Sequence, residues 1–298
     1  MAALSATDPA SAGESAPVRG RRLQIARLAP SRGDLDQALA VVERSPTGGA
    51  LVRRVLGRWG LAGRGDLVGK LEWGDSSRTD AVLTRHYDPE TGEEVREREV
   101  TIYLRRHAAV EDVALDLAHE LVHAAQQPTW DPYDPDLTPV RFIRLSIEAA
   151  GGEADAVQAE CQVAAELGDA VATSGERCGR YAAGAREGIV REFYRVGAWK
   201  RVLDRALGAT AGELADLSGE EPLLLSSTGR APYPVALLRE YEALTEAACR
   251  NSRKRLVSSS SARSAQTRGP AGDGAGRDLD EPSQRAAVFL SRRCGGDR

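Results

Sequence analysis

The motif His-Glu-Leu-Val-His at residues 119–123 constrains this chain more than any other stretch. It lies inside a run from Val110 to Ala125 in which apolar residues recur at helical spacing. Positions four apart on an α-helix lie about 40° apart around its axis. The pattern therefore predicts a helix from which His119 and His123 project on one face, one turn apart.

Two imidazoles at this spacing predict a zinc site. Zinc binds neutral histidine nitrogens at about 2.0–2.1 Å, and two ligands on one rigid helix need little further ordering. Glu120 lies about 100° around the helix from His119, where it can reach a water at the metal without occupying a ligand position. We therefore expect Glu120 to act as a general base. The alternative, two unrelated histidines beside a solvated carboxylate, is less favoured because the chain has only 4 histidines and this helix has an apolar inner side.

A catalytic zinc takes three protein ligands and keeps one open position. Glu153 begins an alanine-rich helical pattern after Gly151-Gly152, and its small side chains would allow close packing on the metal helix. A carboxylate at this place could instead only interact with the helix dipole, and Glu148 is a rival ligand. We expect one zinc ion held by His119, His123 and Glu153.

The residues before the metal helix change from helical to alternating patterns. They predict a small antiparallel sheet. Its last strand can be an open edge along the cleft, to which a peptide substrate adds, or simply a core strand, and both can hold at once. The predicted elements are helices from Asp34 and over Leu51–Trp59, a stop at 45–49, strands at 67–73, 81–87 and 95–104, and a turn at 88–92.

Beyond the metal helix the chain reads as mostly helical. An acidic, aromatic loop at 129–138 forms either one wall of the cleft or a surface connection. Helical patterns follow, and we expect them to complete the core and the far wall of the cleft. They cover residues 139–147, 153–167, 176–207 and 235–249.

The run His119-Glu120-Leu121-Val122-His123-Ala124-Ala125-Gln126, followed by Glu153-Ala154-Asp155-Ala156, resembles bacterial metallopeptidases of the gluzincin kind, which are zincins. The resemblance covers about Asp34 to Asp169. It implies that His119, His123 and Glu153 bind zinc, that Glu120 activates water, and that a sheet packs on the metal helix.

The chain departs from the gluzincin pattern at two places. Many gluzincins carry an Asp four residues after the ligand Glu, where it orients a histidine, but Val157 stands there. Asp116 or Glu148 would have to serve instead. Many also use a later His or Tyr to stabilise the oxyanion, and no His follows His123. The candidates are Tyr181, Tyr194, Tyr233 and Tyr241.

These patterns predict an α+β, zincin-like fold, with a small antiparallel or mixed sheet packed on the metal helix and a mostly helical C-terminal part. We expect a disordered segment at 1–33 and a metallopeptidase domain at 34–250, in which 34–169 holds the sheet and metal helices and 170–250 completes it. Residues 251–298 predict a disordered basic tail. The segment from Arg250 to the end contains eleven Lys or Arg and five acidic residues, although the whole chain has a net charge of −4.

The 4 cysteines lie far apart without a C-x-x-C pair, so we expect reduced structural thiols. The N-terminus lacks the apolar core of a secretory signal, and no apolar run reaches the roughly 20 residues of a membrane span. We therefore expect a cytoplasmic protein without a membrane partner. We also expect no nucleic-acid partner, since only the tail is basic. The sequence does not determine the oligomeric state.

The function that fits these features is a zinc-dependent metallopeptidase with a peptide or protein substrate. Two alternatives share the same residues. One is a non-catalytic zincin-like scaffold that recruits partners, and the other is a zinc amidohydrolase that acts on a non-peptide amide.

Overall fold

The computed structural model describes residues 31–87, 94–106, 108–126, 130–168, 178, 186–215, 217–222, 224–226, 229–266 and 281–295. Within these residues the chain is α+β and mostly helical, with one small three-stranded mixed sheet. In chain order its elements are α1 (Arg32–Glu43), α2 (Pro46–Trp59), α3 (Arg64–Val68), β1 (Leu71–Gly74), β2 (Arg78–Tyr87), β3 (Glu94–Arg105), α4 (Val110–Ala125), α5 (Pro139–Glu148), α6 (Glu153–Leu167), α7 (Arg186–Phe193), α8 (Lys200–Leu207), α9 (Tyr233–Gln266) and α10 (Glu281–Arg293), with 3₁₀ turns at Gly197–Trp199 and Gly208–Glu213.

The two N-terminal helices begin at serine caps. The Ser31 hydroxyl accepts a hydrogen bond from the Asp34 amide, and the Ser45 hydroxyl accepts one from the Gly48 amide. The first helix ends at Glu43, just before the predicted stop at 45–49. The second helix begins earlier than predicted, because Ser45-Pro46 forms the cap and first position of α2. Within the predicted segment 1–33, only residues 31–33 are described, and they belong to the start of α1.

The sheet has the strand order β1-β3-β2. β2 pairs antiparallel with β3, and β1 pairs parallel with it, so of the two predicted forms, antiparallel or mixed, the sheet has the mixed one. The last strand, β3, lies in the centre of the sheet and is a core strand, as one of the two alternatives predicted. The other alternative, an open edge on this strand, is wrong, because β1 and β2 form the edges. The strand predicted at 67–73 begins only at Leu71, because α3 occupies 64–68, and the predicted turn at 88–92 lies outside the described residues.

Two apolar cores meet at α6. The first packs α1, α2 and the sheet against α4, and the second packs α5 and α7 to α9 together. α6 contributes Ala156 and Val163 to the first core and Ala154 and Val157 to the second. Their mostly small side chains let α6 lie close against α4, which brings the head of α6 beside the predicted metal motif.

The C-terminal region contradicts the predicted disordered tail over much of its length. α9 continues to Gln266, and α10 packs back against it. Disulfides join Cys161 to Cys178 and Cys249 to Cys294, so the expectation of reduced thiols is also wrong. Sequence separations of 17 and 45 residues gave no sign of these pairs. Among the described residues, none of the helices is both long and apolar enough to cross a membrane.

Candidate metal centre

The three predicted ligands come together where α4 meets the start of α6. Single ligand atoms of His119, His123 and Glu153 all lie within 4.8 Å of one another. Nε2 of His119 lies 3.3 Å from Oε2 of Glu153, and Nε2 of His123 lies 3.6 Å from Oε1 of the same carboxylate. The rival ligand Glu148 is not part of this group, because its Oε1 accepts a hydrogen bond of 2.6 Å from the Tyr194 hydroxyl.

The spacing of this group fits a tetrahedral zinc ion. Ligand atoms at about 2.0–2.1 Å from a tetrahedral ion lie about 3.4 Å from each other, close to both separations measured here. Oε2 of Glu153 is buried, and within the described part of the chain its neighbour is the His119 imidazole, which can donate to it only when Nε2 carries a proton. A buried carboxylate oxygen without a donor is costly unless a cation or ligand occupies its neighbourhood. The donor set, two imidazoles and a carboxylate, is that of a catalytic zinc.

Each of the two histidine rings is oriented by a contact between its Nδ1 atom and an oxygen acceptor. Nδ1 of His119 lies 3.2 Å from Oε2 of Glu160, and Nδ1 of His123 lies 2.9 Å from the carbonyl oxygen of Gly151. An oxygen acceptor at Nδ1 favours the tautomer that carries its proton there. The Nε2 lone pairs of both rings are then available to a metal on the side of Glu153.

Glu160 is the residue that sequence reasoning missed. It is only 4% exposed and takes the role proposed for Asp116 or Glu148. Asp116 instead accepts a hydrogen bond of 2.5 Å from the Ser77 hydroxyl and pairs with Arg105 at 2.8 Å. The available signal was spacing, since residues seven apart lie about 20° apart on a helix, which puts Glu160 on the same face as Glu153.

The predicted general base is held in place by the sheet. Glu120 is 5% exposed, and its Oε2 accepts a hydrogen bond of 2.8 Å from the Thr79 hydroxyl of β2. Burial raises the pKa of Glu120 above its ordinary value, although the two histidines and Thr79 oppose the shift. A raised pKa makes the Glu120 carboxylate a stronger base. A general base is most effective when its pKa lies near the pH at which the enzyme works.

Without a metal, a proton can occupy this cluster. Burial alone would lower the pKa of His119, but its contacts with Glu153 and Glu160 outweigh burial and raise that pKa well above the ordinary value. Burial opposes ionisation of Glu153, yet His123 and His119 lower its pKa to about 2. Zinc would therefore displace a proton from His119 when it binds.

Of the four candidate tyrosines, Tyr233 reaches the site. Its hydroxyl hydrogen-bonds to Glu153, and its ring packs edge-on against Phe193 at 4.8 Å. The Tyr241 hydroxyl donates to the carbonyl of Leu137 at 2.9 Å, and Tyr194 is bound to Glu148. Tyr181 lies outside the described residues.

No family model, curated protein or solved structure matches this chain. The case for a function therefore depends on the residues of the site themselves.

Proposed function

We propose that this protein is a zinc-dependent metallopeptidase of the zincin kind. The observation that carries the proposal is the convergence of two Nε2 atoms and one partly buried carboxylate at separations of 3.3 and 3.6 Å, with Glu120 on the same helix as the two histidines. His119, His123 and Glu153 would hold one zinc ion. When bound, zinc supplies a Lewis acid that polarises a scissile carbonyl and lowers the pKa of water towards about 7.

Glu120 would move the proton in this reaction. Its carboxylate accepts a proton from the attacking water and returns it to the leaving amine. The hydrogen bond from Thr79 fixes one oxygen of Glu120. The other oxygen remains available for the proton, and burial keeps bulk water from competing for it.

Tyr233 is the residue we assign to oxyanion stabilisation. It is half-buried at the first position of α9, and its hydroxyl reaches the ligand Glu153. Pro232 and Pro234 flank it and restrict the backbone there. A hydroxyl donor beside the metal ligand can bind the negative oxygen that develops on the scissile carbonyl.

A peptide substrate fits the sheet edge beside Glu120. Thr79 lies on β2, one of the two edge strands, and the next three residues, Asp80, Ala81 and Val82, are exposed. An extended peptide can add to such an edge through main-chain hydrogen bonds, which places its backbone along the site and tolerates varied side chains. This argument favours a peptide over a small non-peptide amide.

The two disulfides bear on where the protein works. Cysteine pairs persist in oxidising compartments and are rare in the cytosol. All four cysteines are paired, and the described residues contain no free thiol. We therefore propose an oxidising compartment in place of the cytoplasm that the N-terminal composition predicted.

Replacement of Glu120 by Gln tests the proposal. The substitution preserves size and the hydrogen bond from Thr79 but removes the base. We expect unchanged zinc binding and a fall in peptide cleavage of about 10²–10⁴-fold. The assay is cleavage of a peptide library by the wild type, which a zinc chelator should abolish. Equal cleavage by Glu120→Gln and wild type would contradict the mechanism. Zinc binding by a wild type that cleaves no peptide would favour the scaffold or the non-peptide hydrolase.

A further inference from the structure

The turn between α5 and α6 is built around the carbonyl that holds His123. The Gly151 carbonyl oxygen lies 2.9 Å from Nδ1 of His123, and the Gly151 amide donates a hydrogen bond of 2.9 Å to Oδ2 of Asp155. Gly151 has a φ of 75°, and a Cβ there would lie 2.1 Å from Cγ of Gln126, the C-cap residue of α4. The turn is therefore packed directly against the end of the metal helix.

Arg186 joins the two ends of this turn through hydrogen bonds. Nε of Arg186, at the start of α7, donates a hydrogen bond of 2.6 Å to Oδ1 of Asp155. Its Nη2 donates to the carbonyl oxygen of Glu148, the last residue of α5. The guanidinium thus bridges the end of α5 and the first turn of α6, while the second oxygen of Asp155 holds the Gly151 amide.

We propose that Asp155 and Arg186 are positioning residues for His123. Their contacts fix the direction of the Gly151 carbonyl, which keeps the proton of His123 on Nδ1 and directs Nε2 towards Glu153. The inference rests on the proposed metal site for its effect on zinc, but its effect on the His123 tautomer does not require a metal. It also gives a role to Asp155 of the Glu-Ala-Asp-Ala segment, which lies outside the group of His119, His123 and Glu153.

The side chains of Arg186 and Asp155 are partly exposed, so a contribution to folding stability alone does not account for their ion pair. The side chains of Arg186 and Asp155 are 35% and 29% exposed, and ion pairs this open to water contribute little to folding. A matched control is the ion pair of Lys200 and Asp204 on α8, which has a separation of 2.8 Å and exposures of 45% and 43%. It makes the same kind of contact at a place that the metal centre does not use.

The experiment compares Asp155→Ala, Arg186→Gln and the control Asp204→Ala with the wild type. Zinc dissociation constants are measured by competition with a chromophoric chelator. Long-range ¹H–¹⁵N NMR on the metal-free protein at alkaline pH reads which nitrogen of His123 carries the proton. We expect zinc binding to weaken about tenfold in the first two variants and His123 to shift towards the Nε2–H tautomer. Asp204→Ala should behave as the wild type.

Arg186→Lys keeps the positive charge but loses the fork that bridges the two helices, so it should give an intermediate loss even if a larger change disturbs folding. Wild-type zinc affinity and an unchanged His123 tautomer in folded Asp155 and Arg186 variants would overturn the inference. If the wild type binds no zinc but the tautomer still shifts in the variants, the proposed function fails and the positioning role stands.

Discussion

Replacement of Glu160 by Gln should weaken zinc binding by an amount that depends on pH. The carboxylate lies 3.2 Å from Nδ1 of His119 and is 4% exposed, so Gln preserves the packing and an acceptor oxygen but removes the charge. Hydrogen bonds to charged groups are stronger than neutral ones by about 1–1.5 kcal/mol. The expected loss in intrinsic affinity is therefore about tenfold.

Protons compete with zinc for His119, so the measured loss of zinc affinity in Glu160→Gln depends on pH. Glu160 also helps to raise the pKa of His119, so its removal lowers that pKa and makes the nitrogen easier to deprotonate. At alkaline pH, where His119 is neutral in both proteins, the full defect should appear. As the pH falls, protons compete more strongly in the wild type than in the variant, so the difference between them should shrink.

Chelator competition over a pH series measures both effects. The control is Glu166→Gln on the same helix, because Glu166 is exposed and binds Thr47 of α2 at 2.9 Å, far from the histidines. It should match the wild type at every pH. Equal affinities of Glu160→Gln and wild type at alkaline pH, or a defect that grows as the pH falls, would refute the reasoning.

Three further predictions follow from the same contacts. Tyr233→Phe should keep zinc and lower kcat by about 10²-fold with little change in KM, which steady-state peptide cleavage measures. In the metal-free protein the pKa of Glu153 is lowered to about 2 from 4.5, so its ionisation stabilises the fold above pH 4.5. The free energy of unfolding should fall by about 3 kcal/mol as the pH drops from 4.5 to about 2. Urea unfolding of Glu153→Gln should lack this pH dependence. Replacement of both Cys161 and Cys178 by Ser should lower the free energy of unfolding by about 3 kcal/mol, and thiol titration of the unfolded wild type should find no free thiol.

The local patterns were sufficient where a periodic signal was strong. The apolar spacing from Val110 to Ala125 predicted α4 with its bounds, and the glycine pair before Glu153 marked the start of α6. That helix start, together with the coordination that zinc requires, also pointed to Glu153, and the structure brings Glu153 beside the two histidines. The long alternating runs likewise predicted β2 and β3.

The rest depends on partners that are distant in the sequence. An alternating pattern predicts a strand but does not determine the order of the strands in a sheet. The parallel pairing of β1 with the central β3 could therefore not be inferred. Glu160 was one of several carboxylates on α6, and only the position of α4 makes it the partner of His119. The end of α9 is rich in Ser and Arg, a composition that suggests disorder. A disulfide joins Cys249, in the middle of α9, to Cys294, which directly follows α10 and lies 45 residues away in sequence.

Zinc content tests the central claim most directly. The protein, purified and dialysed against zinc, is analysed by elemental spectroscopy beside His123→Ala, Glu153→Ala and Glu120→Gln. The account predicts one zinc ion per chain in the wild type and in Glu120→Gln, and little or none in the other two variants. A wild type without zinc, or zinc retained in full by both His123→Ala and Glu153→Ala, would contradict it.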